Sequence, residues 1–192
     1  MPKLTRPTPL DRLSPLATIS RHQTWTLVDN ALIDEKLAHA RDNQRKREIH
    51  ILHDGNDDPL HRMINAVLPG SYVQPHRHAA PPKSEAIATL RGAMGFVAFD
   101  DEGFAQDSDF AIVDSRRDTL VLDIRPGVWH TFFSLAPDTV VFEVKPGPYS
   151  AADDKDFASW APAPDSPDAI PYLKALEDRC RRLFGLPPRN WT

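Results

Sequence analysis

The alternation of apolar and polar residues divides the chain into a helical stretch, a long strand-forming middle and a second helical stretch. Over residues 24–45 the apolar positions Leu27, Ala31, Leu32, Leu37 and Ala38 recur at helical spacing without glycine or proline, which predicts an amphipathic helix. From residue 48 the period changes to short runs, apolar or alternating, separated by turn residues, the pattern of strands. The predicted strands are 48–53, 62–68, 71–78, 85–90, 94–99, 110–113, 119–124, 131–135 and 139–145, with hairpin loops at 100–103 and 136–138. Short strands at even spacing, with no helix between them, predict an antiparallel sandwich or barrel. Farther on, Ser166, Pro167 and Asp168 read as a helix start, with a side-chain cap and proline at the first helical position. Leu173, Leu176, Cys180 and Leu183 continue as an apolar stripe that ends at Gly185.

Composition refines this picture at one point. The chain has 192 residues, a net charge of -4 and 41% hydrophobic residues, the profile of one globular domain. Its 19 prolines stand out against a usual ~5%. Proline is excluded from helix interiors and central strands, so its clustering marks boundaries. Residues 1–16 are predicted as an extended arm, 17–150 as the β domain with its leading helix, and 151–192 as a proline-rich wrap ending in a helix. No apolar run approaches the ~18 residues of a membrane span, and residues 1–10 lack the apolar region of a signal peptide. The single cysteine, Cys180, excludes an internal disulfide or a multi-cysteine metal site. A mildly acidic chain lacks the footprint of a nucleic-acid binder, and the basic run 41–47 reads as a solvated helix end. The expectation is a soluble cytoplasmic protein with a small-molecule ligand and no nucleic-acid or membrane partner.

Candidate chemistry gathers around four residues. His76 and His78 stand two apart, so on a strand both imidazoles project from one face. Glu85 follows after a turn, and His130 comes directly after Pro126-Gly127-Val128-Trp129. Three imidazoles and a carboxylate form a mixed nitrogen and oxygen donor set suited to one divalent ion of iron, zinc, manganese, nickel or cobalt. In 139–145, alternation sets Val141, Glu143 and Lys145 on one face and Val140, Phe142 and Val144 on the other. Glu143 and Lys145 are either a solvated edge pair or an acid/base couple beside the metal. Tyr72 leads into the His76 strand, as a ligand contact or as barrel filling. Asn65 shares parity with Met63 and Val67, which makes it the substrate-facing candidate of its strand, and His53 is a further pocket candidate. Trp160 is read as the anchor of the proline-rich wrap.

This arrangement resembles the cupin superfamily. Gly70, five residues, His76 and His78, then Glu85, then six residues to Gly92 follow the first cupin motif, and Pro126, Gly127 and His130 follow the second. The gap between His78 and Glu85 is six residues (AAPPKS) where the motif has three or four, and Ser134 stands where asparagine is common. The chain is more closely similar to the WbuC-type cupin-fold metalloproteins, found with bacterial O-antigen and polysaccharide gene clusters. The matching stretches are RMIN (62–65), PGSYVQPHRH (69–78), FDDEG (99–103), WHT (129–131), EVKPGPY (143–149) and KDFASWAP (155–162). The resemblance implies a single cupin barrel, mainly β with an N-terminal and a C-terminal helix. It also implies one divalent metal held by His76, His78, Glu85 and His130, and a homodimer. It leaves three readings open: a Lewis-acid enzyme on a small polar or anionic metabolite, such as a polysaccharide sugar; a non-catalytic metal-anchored sensor; or an iron-dependent dioxygenase.

Overall fold

The computed structural model describes residues 10–21, 24–150 and 154–191; residues 1–9 of the predicted arm lie outside them. The elements run β1 (Leu10–Ser14), β2 (Ala17–Ser20), α1 (Asn30–Asp42), β3 (Arg47–Ile51), β4 (Leu60–Val67), β5 (His76–Arg77), β6 (Glu85–Arg91), β7 (Ala93–Phe99), β8 (Phe110–Asp114), β9 (Val121–Ile124), β10 (Trp129–Ser134), β11 (Thr139–Pro146), β12 (Asp156–Phe157) and α2 (Ala169–Leu183). They form a seven-stranded sheet, β1-β2-β3-β4-β11-β6-β9, facing a five-stranded sheet, β12-β5-β10-β7-β8. The named pairings are antiparallel except β2 with β3, which is parallel. The chain is thus mainly β, two facing sheets with a helix toward each end.

Alternation along the strands sorts side chains into three cores. Val67, Ile87, Met94, Phe96, Phe132 and Val141 meet between the sheets. On the outer face of the larger sheet, Ile64, Ala66 and Val140 pack against Ile33, Leu37 and Ala40 of α1. On the outer face of the smaller sheet, Val97, Phe110 and Phe133 pack against Leu173 and Cys180 of α2. Both sheets are therefore covered outside by a helix, and polar side chains pointing inward are enclosed from both sides.

Several predicted boundaries move, each for a local reason. The first helix starts at Asn30 because Asp29 caps it, its carboxylate accepting from Leu32 N at 2.8 Å. Its buried stripe is Leu32, Ile33, Lys36, Leu37 and Ala40, while Ala31 and Ala38 are exposed. The arm ends in β1, which pairs with β2, and the sequence predicts neither strand. The predicted strand 71–78 shrinks to His76–Arg77. The turn at 136–138 is no hairpin: it carries the chain from β10 in one sheet to β11 in the other. The second helix begins at Ala169 without a side-chain cap bond at Asp168, so Pro167 precedes it. Leu183 is exposed, and Glu177 and Arg181 take buried places on that helix, joined at 2.8 Å.

Candidate metal centre

Register brings the two histidine motifs together. His130 of β10 stands directly opposite His76 of β5 in the smaller sheet. Glu85 opens β6 in the facing sheet, paired with Ile124 of β9. The overlong segment 79–84 does not displace Glu85, because it closes on itself through a bridge between Ala79 and Pro82 and a bond from Lys83 N to His78 O at 3.3 Å. The second motif is tied to the first, since Gly127 N donates to His78 O at 3.1 Å. Gly127 has a φ of +79°, a conformation that side chains with a Cβ adopt at a cost, so glycine suits this turn into His130.

His76, His78, Glu85 and His130 are all buried, and one candidate ligand atom from each lies within 4.8 Å of the others. The tautomers follow from the hydrogen bonds. His76 Nδ1 donates to Gln74 O at 3.0 Å, His130 Nδ1 donates to Val128 O at 2.9 Å, and His78 Nδ1 donates to Asp154 O. A carbonyl only accepts, so each Nδ1 carries a proton, and the Nε2 atoms of His76 and His78 are left with bare lone pairs. His76 Nε2 and His78 Nε2 are buried with no hydrogen-bond partner among the described residues. His130 Nε2 faces Glu85 Oε2 at 3.2 Å, and Glu85 Oε1 lies 4.0 Å from His78 Nε2. Converging lone pairs require a cation or a proton between them. Backbone-fixed imidazoles with free Nε2 atoms are what a divalent ion needs, so the residues fit the implied metal.

The electrostatics agree. Burial, followed by the charge of Lys155, holds His76 well below the usual imidazole range, and burial followed by Lys145 lowers His78. Neutral rings are ligands; protonated ones are not. Burial alone would raise the Glu85 carboxyl, but hydrogen bonds from His130 and Glu143 outweigh it and hold Glu85 well below the carboxylate range. Glu143 moves the other way, raised by burial and then by the Glu85 charge beside it. Of the two neighbouring carboxyl groups, Glu143 is the one whose surroundings favour the protonated form.

A polar network continues behind Glu143 along the larger sheet. Asn65 Nδ2 donates to Glu143 Oε2 at 2.6 Å, and Lys145 Nζ lies 3.8 Å from Glu143 Oε1 and 2.9 Å from Asp154 Oδ2. Glu143 and Lys145 are 6% and 5% exposed, so they point into the barrel with Val141 and are not a solvated edge pair. Asp154 also accepts from Lys83 Nζ at 3.0 Å, and Lys83 donates to Pro148 O at 2.6 Å. Asp154, Lys83 and the half-buried Lys155 were missed by sequence reasoning. Lys83 sits in the overlong gap, and Asp154 and Lys155 begin the strap whose strand β12 pairs with β5.

Two candidates lie elsewhere. Tyr72 donates its hydroxyl to Pro162 O at 2.7 Å and packs in the core beneath α2, so it is not among the site residues. No strand carries it into His76, because residues 71–75 form no ladder. His53 stacks on His61 with ring centroids 4.1 Å apart and bonds the backbone of Arg62 through Nδ1. Trp160 packs on Phe99 at 5.1 Å and Trp129 at 6.1 Å, covering Gly103, where a Cβ would stand 2.6 Å from the indole.

A family model described as a domain of unknown function, DUF6016, matches residues 28–109. No curated protein matches the chain. Among solved structures, L-ribose isomerase of Cellulomonas parahominis with L-psicose is 16% identical, with a TM-score of 0.45 over 60% of this chain and 70% of that one. The capsular polysaccharide assembling protein CapF from Staphylococcus aureus is 18% identical, with a TM-score of 0.47 over 60% of this chain and 32% of its own. KdgF from Halomonas sp. is 16% identical, with a TM-score of 0.40 over 55% of this chain and 82% of its own. Each likeness is partial and distant. No helix among the described residues is long and apolar enough to cross a membrane.

Proposed function

We propose that this protein is a divalent-metal-dependent enzyme acting on a small anionic metabolite. The observation that carries the reading is the set of carbonyl-fixed imidazoles whose free Nε2 atoms converge with Glu85. A bound divalent ion supplies Lewis acidity there, with a net charge near +1 beside one carboxylate and three neutral imidazoles, which favours carboxylate, enolate or phosphate groups. His76, His78, Glu85 and His130 would hold the ion.

The chain's own residues supply the proton chemistry. Glu143 holds a proton beside Glu85, Asn65 fixes the orientation of its carboxyl, and the Lys145 ammonium balances its charge when the proton leaves. Lys145 is itself held charged: burial opposes this, but Glu143, Glu85 and Asp154 prevail. Isomerase or lyase chemistry at the carbon next to a carbonyl matches one proton-carrying carboxyl beside a cationic centre. A cytoplasmic homodimer belongs to the same proposal, with β1 at the open end of its sheet as the candidate contact edge. A place in polysaccharide sugar metabolism is supported by the WbuC-type resemblance alone.

Metal analysis of protein purified without oxygen, followed by turnover and oxygen-uptake assays on oxo acids and sugar derivatives, tests the proposal. Turnover that disappears with the metal and in Glu143→Gln is the expected result. Metal-dependent binding without product would make the protein a sensor, and oxygen consumption would make it a dioxygenase. Protein that takes up no divalent ion overturns the reading.

A further inference from the structure

The polar network runs behind Glu143 along the larger sheet, and an apolar opening adjoins the centre at His130. A cavity of about 300 Å³ lies there, and His130 is the metal-ligand residue in its wall. Phe96 of β7, Ala111 of β8, Leu122 and Ile124 of β9, and Val128 form half of the rest. Phe96 and Ile124 belong to the core between the sheets, and Ala111, Leu122 and Val128 pack against that core. The barrel interior therefore reaches the surface at this point. The reason is topological: β9 ends the larger sheet and β8 ends the smaller one, and the two are not hydrogen-bonded neighbours. Larger surface cavities, such as one of about 590 Å³ beside α2, contain no metal-ligand residue.

The polarity of the wall limits what can fill it. Its charged members, Asp109, Asp123 and Arg125, lie at the rim: Asp123 and Arg125 are exposed, and Asp109 already accepts from Gln106 N at 2.7 Å. Between that rim and His130 no side chain of the wall offers a hydrogen-bonding group. Sugar hydroxyls buried there would lose water without gaining partners, whereas an aliphatic or aromatic body loses nothing. The volume stands at the small end of ligand pockets. At the inner end, the cationic centre with Lys145 in the network behind it favours an anionic head.

We propose that the slot between β8 and β9 is the substrate-binding site and that its occupant is a small oxo acid or related carboxylate with an apolar body, its anionic head toward His130. This rests on the metal-enzyme reading and narrows its substrate class away from sugars.

The test uses the full chain loaded with cobalt(II), titrated with pyruvate, 4-methyl-2-oxopentanoate and gluconate and followed by calorimetry and the visible cobalt spectrum. The branched acid is expected to bind at least ~10-fold more tightly than pyruvate, from burial of its extra carbons. Gluconate is expected to bind no better than pyruvate. Ala111→Phe fills the slot and is expected to erase the preference for the branched acid; if that variant does not fold, Leu122→Phe closes the slot from the opposite wall. Equal affinity for the two oxo acids, a preference that survives both substitutions, or tighter binding of gluconate overturns the proposal while the metal reading stands. A protein that takes up no cobalt brings down the metal reading itself.

Discussion

His50 and His76 are both fully buried imidazoles on neighbouring parts of one domain, yet their surroundings differ in kind. His50 lies on β3 beneath α1, and hydroxyl groups take both of its ring nitrogens, Thr18 Oγ1 at 2.9 Å and Ser20 Oγ at 2.8 Å. Around it, Lys36 Nζ meets Thr18 Oγ1 at 2.9 Å and Glu48 Oε1 at 3.3 Å, and Arg12 and His39 reach the same carboxylate oxygen. Glu48 Oε2 is the member left without a partner. His76 has one nitrogen fixed by a carbonyl and the other bare, aimed with three neighbours at one point. Burial alone therefore does not distinguish a ligand from a structural histidine; the direction of the lone pairs does. The cluster under α1 closes upon itself, and the cluster in the barrel closes only around an added cation.

The largest expected effect falls on the closed cluster. Lys36→Ala removes a fully buried cation and leaves the buried Glu48 carboxylate only the part-exposed Arg12 and His39 as partners, which should cost about 3–5 kcal/mol. Urea unfolding measures this, and the metal affinity of the folded fraction should not change. Lys36→Met, which removes the charge and keeps the volume, should lose less when combined with Glu48→Gln. If Lys36→Ala weakened metal binding as strongly as it weakened the fold, the two clusters would be one coupled system.

Next in size is the open cluster. Metal supplied at about 100 times its dissociation constant should stabilise the folded protein by ~2.7 kcal/mol, removable with a chelator. In His76→Ala that metal-dependent rise in Tm should vanish, whereas in His50→Ala it should persist on a lowered baseline. A His50→Ala protein that lost the rise would contradict the distinction drawn from lone-pair direction.

A smaller effect is expected one bond farther out. Asp154→Asn keeps the backbone carbonyl that bonds His78 Nδ1 but loses the charge held between Lys145 and Lys83. Supporting residues of this kind typically carry about 10- to 100-fold in metal affinity, and the lower end is expected because the carbonyl remains. Competition with a metal indicator measures it. An unchanged affinity would show that the strap holds His78 without help from this side chain.

The same contrast explains what was legible in the sequence. His76, His78, Glu85 and His130 stood out because their chemistry is carried by residue type and close spacing, and the inward face of β11 by plain alternation. Lys83 and Asp154 were not legible. They meet across 71 positions, in a loop and a strap without periodicity, and neither residue type announces burial. Lys36 was hidden for a related reason: a lysine in an amphipathic helix reads as solvent-facing, and its pairing with Glu35 and with the carboxylate arriving from β3 makes its burial tolerable. The turn at 136–138 has hairpin chemistry, but local turn residues do not encode which sheet the next strand joins.

The smallest effect concerns the exposed side of the closed cluster and separates burial from mere contact. Arg12 Nη2 lies 3.2 Å from Glu48 Oε1, nearly the 3.3 Å of Lys36 Nζ, but the Arg12 side chain is 44% exposed and that of Lys36 is 0% exposed. An exposed partner in such a pair returns most of its charge energy to water, so Arg12→Ala should cost no more than about 1 kcal/mol. Two substitutions that remove contacts of the same length to the same oxygen should then differ several-fold in urea unfolding. Equal losses would mean that distance to Glu48 governs the cluster. In that case the argument that enclosure makes its pairing structural, and makes the bare nitrogens of His76 and His78 significant, would have to be given up.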